Sequence, residues 1–221
     1  MPGENLTRIE AAERAAIVSV DSYEVALDLT SGEETFRSTT TVRFSAKAGA
    51  STFIDAITAK VHSISLNGEA LDTALSDGVR ISLPSLAAEN VLVIDADAHY
   101  MHTGEGLHRF VDPADGEVYL YTQFEVPDSR RMFAVFEQPD LKATFQFTVI
   151  APDHWQVVSN QATPTPTSLG DGKGEWKFAP TPRLSSYVTA LIAGPYAVRR
   201  SSLTSSDGRI IELGVFCRTS L

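Results

Sequence analysis

The residues best suited to chemistry lie in Tyr119-Leu120-Tyr121-Thr122-Gln123-Phe124-Glu125. This aromatic, β-branched run reads as a strand. Side chains alternate faces along a strand, which predicts Gln123 and Glu125 on one side together with Tyr119 and Tyr121. An amide oxygen beside a carboxylate can receive a cation; the same pair can equally be a solvated strand face. Val126-Pro127-Asp128 is expected to break the strand, because proline cannot donate to the ladder.

Other chemistry is thinner. A zinc peptidase signature, His-Glu-x-x-His on a helix, does not occur among His62, His99, His102, His108 and His154. His99 and His102 are three apart and His108 follows in a glycine-bearing loop, a grouping expected at a surface rather than around a metal. Cys217 beside Phe216 is expected as a structural thiol in a buried strand. Thr103-Gly104-Glu105-Gly106-Leu107-His108 lacks the lysine and the strand-to-helix setting of a phosphate loop. Arg130 and Arg131 are expected to pair with acids, Glu137 and Asp140 being close in sequence, and to anchor the crossing loop. Phe133, Val135, Phe136 and Phe145 read as core. The residues by themselves therefore point to no catalytic residue and no metal ligand, and leave Gln123 and Glu125 as the strongest site candidates.

The elements that must position this pair are mostly strands. Thr7-Arg8-Ile9-Glu10 has capping-box spacing, and Ile9, Ala12, Ala16 and Ile17 continue with helical period, predicting a short helix over about residues 7–17. From Ser19 to Thr30 the chain alternates, with Tyr23, Val25, Leu27 and Leu29 on one face. Further strands are expected at 36–44, 52–55, 61–66, 79–83, 90–95, 145–150, 155–160, 175–178, 187–193 and 210–216. Asn67-Gly68 favours a tight hairpin turn between two of them. The segments 101–116 and 163–174 are expected as loops. Strands at roughly ten-residue spacing point to a sandwich and not to a parallel α/β sheet. The expected fold is all-β, a large twisted β-sandwich or saddle of mostly antiparallel strands with one short N-terminal helix, and residues 1–221 are expected as one domain.

Composition narrows the partners. Eighteen basic against 28 acidic residues, a formal net charge of −10, argue against nucleic acid and anionic membrane surfaces. No apolar run approaches the roughly 20 residues of a membrane span. One cysteine in 221 residues excludes an intrachain disulfide framework. With no apolar leader after Met1, a cytoplasmic location is expected.

Tyr121-Thr122-Gln123-Phe124-Glu125, Asp128-Ser129-Arg130-Arg131-Met132-Phe133 and Phe136-Glu137-Gln138-Pro139-Asp140-Leu141-Lys142-Ala143-Thr144-Phe145 together resemble the amino-terminal domain of the aminopeptidase N family of zinc metallo-aminopeptidases. Thr103-Gly104-Glu105-Gly106-Leu107-His108-Arg109-Phe110 resembles its actinobacterial branch. The resemblance implies an excised domain whose catalytic zinc domain lies outside this chain, zinc being a cofactor of the parent and not of this piece. It implies that Gln123 and Glu125 help to hold the free α-amino group of a peptide, that the zinc domain is the partner, and that this domain is inactive alone. A non-catalytic β-sandwich binding or scaffold module is the competing expectation.

Overall fold

The computed structural model describes residues 5–221; Met1-Pro2-Gly3-Glu4 lie outside the described residues. Helix α1 (Arg8–Ala15) opens with Thr7 as N-cap. The Thr7 hydroxyl accepts from the Glu10 amide and the Glu10 carboxylate accepts from the Thr7 amide, so the capping box forms as its spacing predicts. The expected buried face does not form. Ile9 is 71% exposed, whereas Arg14 is 1% exposed. Glu10, Ala11 and Arg14 face inward because an ion-pair network, described below, receives them; periodicity alone could not choose that side.

The strands follow as β1 (Val18–Asp28), β2 (Thr35–Ala46), β3 (Thr52–Asp55), β4 (Lys60–Leu66), β5 (Glu69–Leu71), β6 (Arg80–Leu83), β7 (Glu89–His99), β8 (Gly106–Val111) and β9 (Val118–Gln123). After a 3₁₀ turn at Ser129–Arg131 come β10 (Thr144–Pro152), β11 (Gln156–Ser159), β12 (Thr167–Gly170) and β13 (Lys173–Lys177). A further such turn at Ser186–Val188 precedes β14 (Leu191–Gly194), β15 (Ala197–Thr204) and β16 (Ile210–Cys217). Three expectations need correction. Segment 101–116 contains β8, and 163–174 contains β12. The expected strand at 187–193 starts only at Leu191, the preceding residues forming the 3₁₀ turn.

One eight-stranded sheet runs β12-β13-β10-β1-β2-β7-β4-β5, and a four-stranded sheet runs β11-β14-β9-β8. Every pairing is antiparallel except β1 with β10, where Tyr23 lies opposite Phe145. A register shift between Val20 and Ser22 lets both Val18 and Val20 and, beyond it, Tyr23, Val25 and Leu27 face the core. An extra residue at a bulge changes the parity of the strand, which explains why even and then odd positions are buried. At Asn67 and Gly68 φ is 55° and 86°, the left-handed pair that the Asn-Gly hairpin requires.

Leu107, Leu120, Val157, Leu191 and Ala193 of the smaller sheet join the core of the larger one. Between them sits the segment from Met132 to Phe136, all of it buried. Phe133 meets Tyr23, Phe124, Phe145 and Phe147 edge-on at centroid separations of 5.8–6.3 Å. Such contacts add to the roughly 2–3 kcal/mol from burying each ring. The apolar residues after Glu125 are thus the plug that fixes where the exposed pair can stand.

Candidate functional site: the rim of the smaller sheet

Strand β9 is held on both sides, by β14 through Ile192 opposite Tyr121 and by β8 through Gly106 opposite Gln123. Gln123 is its last residue. Phe124, 3% exposed, then turns inward against Phe133, and Glu125 to Asp128 form a turn that includes a cis Val126–Pro127 bond. The strand therefore ends two residues earlier than the sequence suggests, because Phe124 is pulled into the core. Strand alternation places Gln123 with Tyr121 but does not reach Glu125. Both Gln123 and Glu125 are exposed, and neither side chain takes a hydrogen bond or ion pair from the other described residues. Their oxygens are open acceptors at the end of β9 and in the turn that follows it.

Tyr119 and Tyr121 share a face but not an environment. Tyr121 is 41% exposed, its ring 4.7 Å from that of His108. Tyr119 is covered: its hydroxyl donates to Asp115 Oδ2 at 2.8 Å and its ring meets Tyr196 at 4.9 Å. These rings, with Phe110, Phe216 and Arg218, line an open recess beside the rim.

Two histidines of the 99–108 stretch, His102 and His108, take backbone partners. His102 Nδ1 lies 3.0 Å from the Arg109 carbonyl, so its ring donates there. His108 Nδ1 accepts from the Gly104 amide at 3.0 Å, which leaves its proton on Nε2. Burial first, then the neighbouring His102, lower the His108 pKa and keep the ring neutral. Among the described residues no three His, Cys, Asp or Glu side chains gather in a way that could hold a metal ion. Cys217 is a free thiol and half-buried, lining the same recess as Tyr121 and less enclosed than expected because its hairpin partner strand β15 is largely exposed.

The turn carrying Glu125 is tied down just beyond it. Asp128 Oδ1 accepts from Arg131 Nε at 2.7 Å, and Arg131 Nη2 lies 3.6 Å from Glu105. Arg131 thus pairs with acids, but with Asp128 and Glu105; Glu137 and Asp140, its expected partners, are not in those pairs. Glu137 is instead a buried acceptor. It takes bonds from the Ser129 hydroxyl, from the Arg130 amide at 2.9 Å and from the Ser186 hydroxyl at 2.6 Å. Burial pushes its carboxyl above the usual range, and these bonds pull the other way.

Sequence reasoning did not find Asp55, which connects this loop to the leader. Asp55 pairs in both directions with the Val135 backbone at 2.9 Å, and its Oδ2 accepts from the Glu137 amide at 3.1 Å and from Arg14 Nη1 at 2.6 Å. Arg80 Nε lies 3.7 Å from Asp55 Oδ1, and Arg80 Nη1 donates to Glu10 Oε1 at 2.6 Å. That bond first, then the Thr7 amide, lowers the Glu10 pKa to about 2. The available signal was Glu10 and Arg14 one helical turn apart, a spacing that puts both on one face.

Gly106 makes the approach of β8 to this loop possible. Its φ is +59°, and a Cβ there would lie 2.9 Å from Arg131 Cβ and 3.2 Å from Met101 Cγ. Gly106→Ala is expected to cost about 1–3 kcal/mol through backbone strain and overpacking. Urea unfolding of the two chains side by side measures it; an unchanged midpoint would show that the loop gives way freely.

Similarity to known proteins agrees with this architecture. Residues 19–188 match the family described as Peptidase M1 N-terminal domain. The chain is 57% identical to aminopeptidase N of Streptomyces lividans over 226 aligned positions, covering 100% of this chain and 26% of that protein. It is 34% identical to probable aminopeptidase 1 of Saccharolobus solfataricus over 37% of this chain and 10% of that protein. The crystal structure of Legionella pneumophila aminopeptidase A in complex with aspartic acid superposes with a TM-score of 0.81 over 94% of this chain and 25% of that one, at 16% identity, a likeness of fold. The chain thus spans about a quarter of the Streptomyces relative's length. By its family match over most of its strands, the chain belongs to the Peptidase M1 N-terminal domain family.

Proposed function

We propose that this chain is the amino-terminal domain of a zinc-dependent aminopeptidase, that residues 1–221 act as one all-β unit, and that its part in the reaction is to receive the α-amino group of a peptide. The observation that carries this is the pair of unpartnered acceptors, Gln123 and Glu125, on a rim whose underlying loop is rigidly anchored. An α-ammonium offers three donors and no acceptor, so an amide oxygen and a carboxylate can surround it. Holding it fixes the first peptide bond at a set distance, which is positioning rather than bond breaking. Enclosing it also excludes a substrate with a residue further upstream.

Among the described residues no side chains gather into a zinc site, so no step through zinc is assigned to this chain. Zinc belongs, in this reading, to a catalytic domain elsewhere in the parent polypeptide, the partner that this domain caps. The relatives' greater length and their names as aminopeptidases support it. Among the described residues no helix is long and apolar enough to cross a membrane, and a single cysteine suits a reducing, cytoplasmic setting.

Gln123→Leu in the parent enzyme tests the reading. It should raise KM for an amino acid arylamide about tenfold, the loss of one hydrogen bond to a charged group. Hydrolysis of an N-acetylated analogue should stay at background in both enzymes. An unchanged KM would remove Gln123 from the site.

A further inference from the structure

We propose that helix α1 is a positioning strap for the amino-binding rim, and that Arg14 acts through Asp55 on the loop that begins where Glu125 ends. The inference rests on the reading of Glu125 as an amino-group ligand and goes beyond it. Helix α1 lies outside the 19–188 span that matches the family, so nothing in that match gives it a role.

The helix is not packed for hydrophobic gain. Its one fully buried side chain is Arg14, while Ile9 points to solvent. A buried guanidinium is a costly way to dock eight residues, since a well-packed apolar side chain of similar volume often holds as well or better. What the guanidinium adds is direction. Nη1 donates to Asp55 Oδ2 at 2.6 Å and Nε donates to Gln138 Oε1 at 3.1 Å, so one planar group joins β3 to the far end of the loop. Gln138 Nε2 returns to the Ala11 carbonyl at 3.1 Å, closing the link on the helix itself. Both cations also lie against Phe53, Arg14 4.9 Å and Arg80 4.2 Å from its ring centre.

The loop is thereby fixed at successive points. The Ile57 amide donates to the Arg130 carbonyl at 2.8 Å, Asp55 pairs with Val135, and the Glu137 amide donates to the same Asp55 oxygen that Arg14 holds. At the other end Arg131 fixes Asp128, three residues after Glu125. Removing Arg14 takes the cation from Asp55 Oδ2, which keeps only the Glu137 amide, and the donor from Gln138 Oε1, which loosens the loop over 130–138 and lets the Glu125 turn shift. Arg14 is a positioning residue; it touches no substrate.

The test is a double-mutant cycle in the full parent enzyme. Arg14→Met is expected to lower kcat/KM for an amino acid arylamide about fivefold, chiefly through KM. In a Glu125→Ala background the same change should cost less than twofold, because its effect travels through Glu125. A fivefold loss in both backgrounds, or none in the first, overturns the proposal and leaves Arg14 a matter of general stability. An unchanged kcat/KM in Glu125→Ala alone overturns the amino-group reading, and the proposal with it. Gln138→Met removes two of the bonds without stranding a charge, so it covers a failure of Arg14→Met to fold. It should give a twofold to threefold loss with the same non-additivity, and additive losses count against the proposal.

Discussion

Glu125→Ala in the parent enzyme is expected to lower kcat/KM for an amino acid arylamide about 100-fold, with both a higher KM and a lower kcat. The magnitude follows from the charge-assisted bond that is lost. An ammonium–carboxylate contact in a site closed by substrate contributes about 2.7 kcal/mol at that fold-change. Because the carboxylate is exposed and has no partner among the described residues, their packing does not depend on it. Its removal should move stability by no more than about 0.5 kcal/mol. That separation makes the measurement sharp: a large kinetic effect with a flat unfolding midpoint. Glu125→Gln, keeping shape and acceptor but not charge, should fall between the two. If Glu125→Ala keeps full catalytic efficiency, the amino group is held elsewhere.

The largest effect on stability is expected at Asp55, 1% exposed beside a 1% exposed Arg14. Asp55→Ala strands the Arg14 guanidinium and the Glu137 amide in the interior and removes the nearest counter-charge from Arg80 Nε. Breaking a buried pair from one side costs about 3–5 kcal/mol, far more than the pair itself contributes. For a chain of this size that should lower Tm by about 10 °C. Arg14→Met with Asp55→Ala together should recover part of the loss, since no charge is then left alone. Calorimetry or thermal circular dichroism of the isolated chain decides it. A Tm for Asp55→Ala within about 2 °C of the unsubstituted chain would mean that water reaches Arg14.

Much of this was legible because inner strands announce themselves. The alternation Tyr23, Val25, Leu27 and the Asn67-Gly68 turn need only local rules, and both stand where expected. Strand β8 was missed for a physical reason. It is an edge strand paired to β9 and bridged on its other side at Met101, and an edge can carry Gly106, His108 and Arg109 without apolar alternation. Strands β12 and β15 are exposed along most of their lengths and left no burial pattern to read. At the site, residue types were readable but the strand's end was not. Phe124 looks like one more strand residue until the ring of Phe133, nine positions on, is seen to draw it inward. The helix face was misread because Ile9, Ala12 and Ala16 repeat with the same period as Glu10 and Arg14. Only the position of Asp55, brought close by β3, decides between them.

The one parallel pairing has a consequence for how the chain can fold. Strand β1 finds one neighbour, β2, within a short turn, but the other, β10, begins at Thr144, so Ser22 waits for a residue more than a hundred positions later. Closing so long a loop costs entropy before any contact offsets it, which makes this step slow compared with hairpin formation. During synthesis, β1 and β2 would leave the ribosome with one open edge until the segment through Pro152 has emerged. Helix α1 can meet Asp55 and Arg80 earlier, but its link through Gln138 closes only with the same stretch. Residues far downstream therefore set the time at which the first ones complete their contacts.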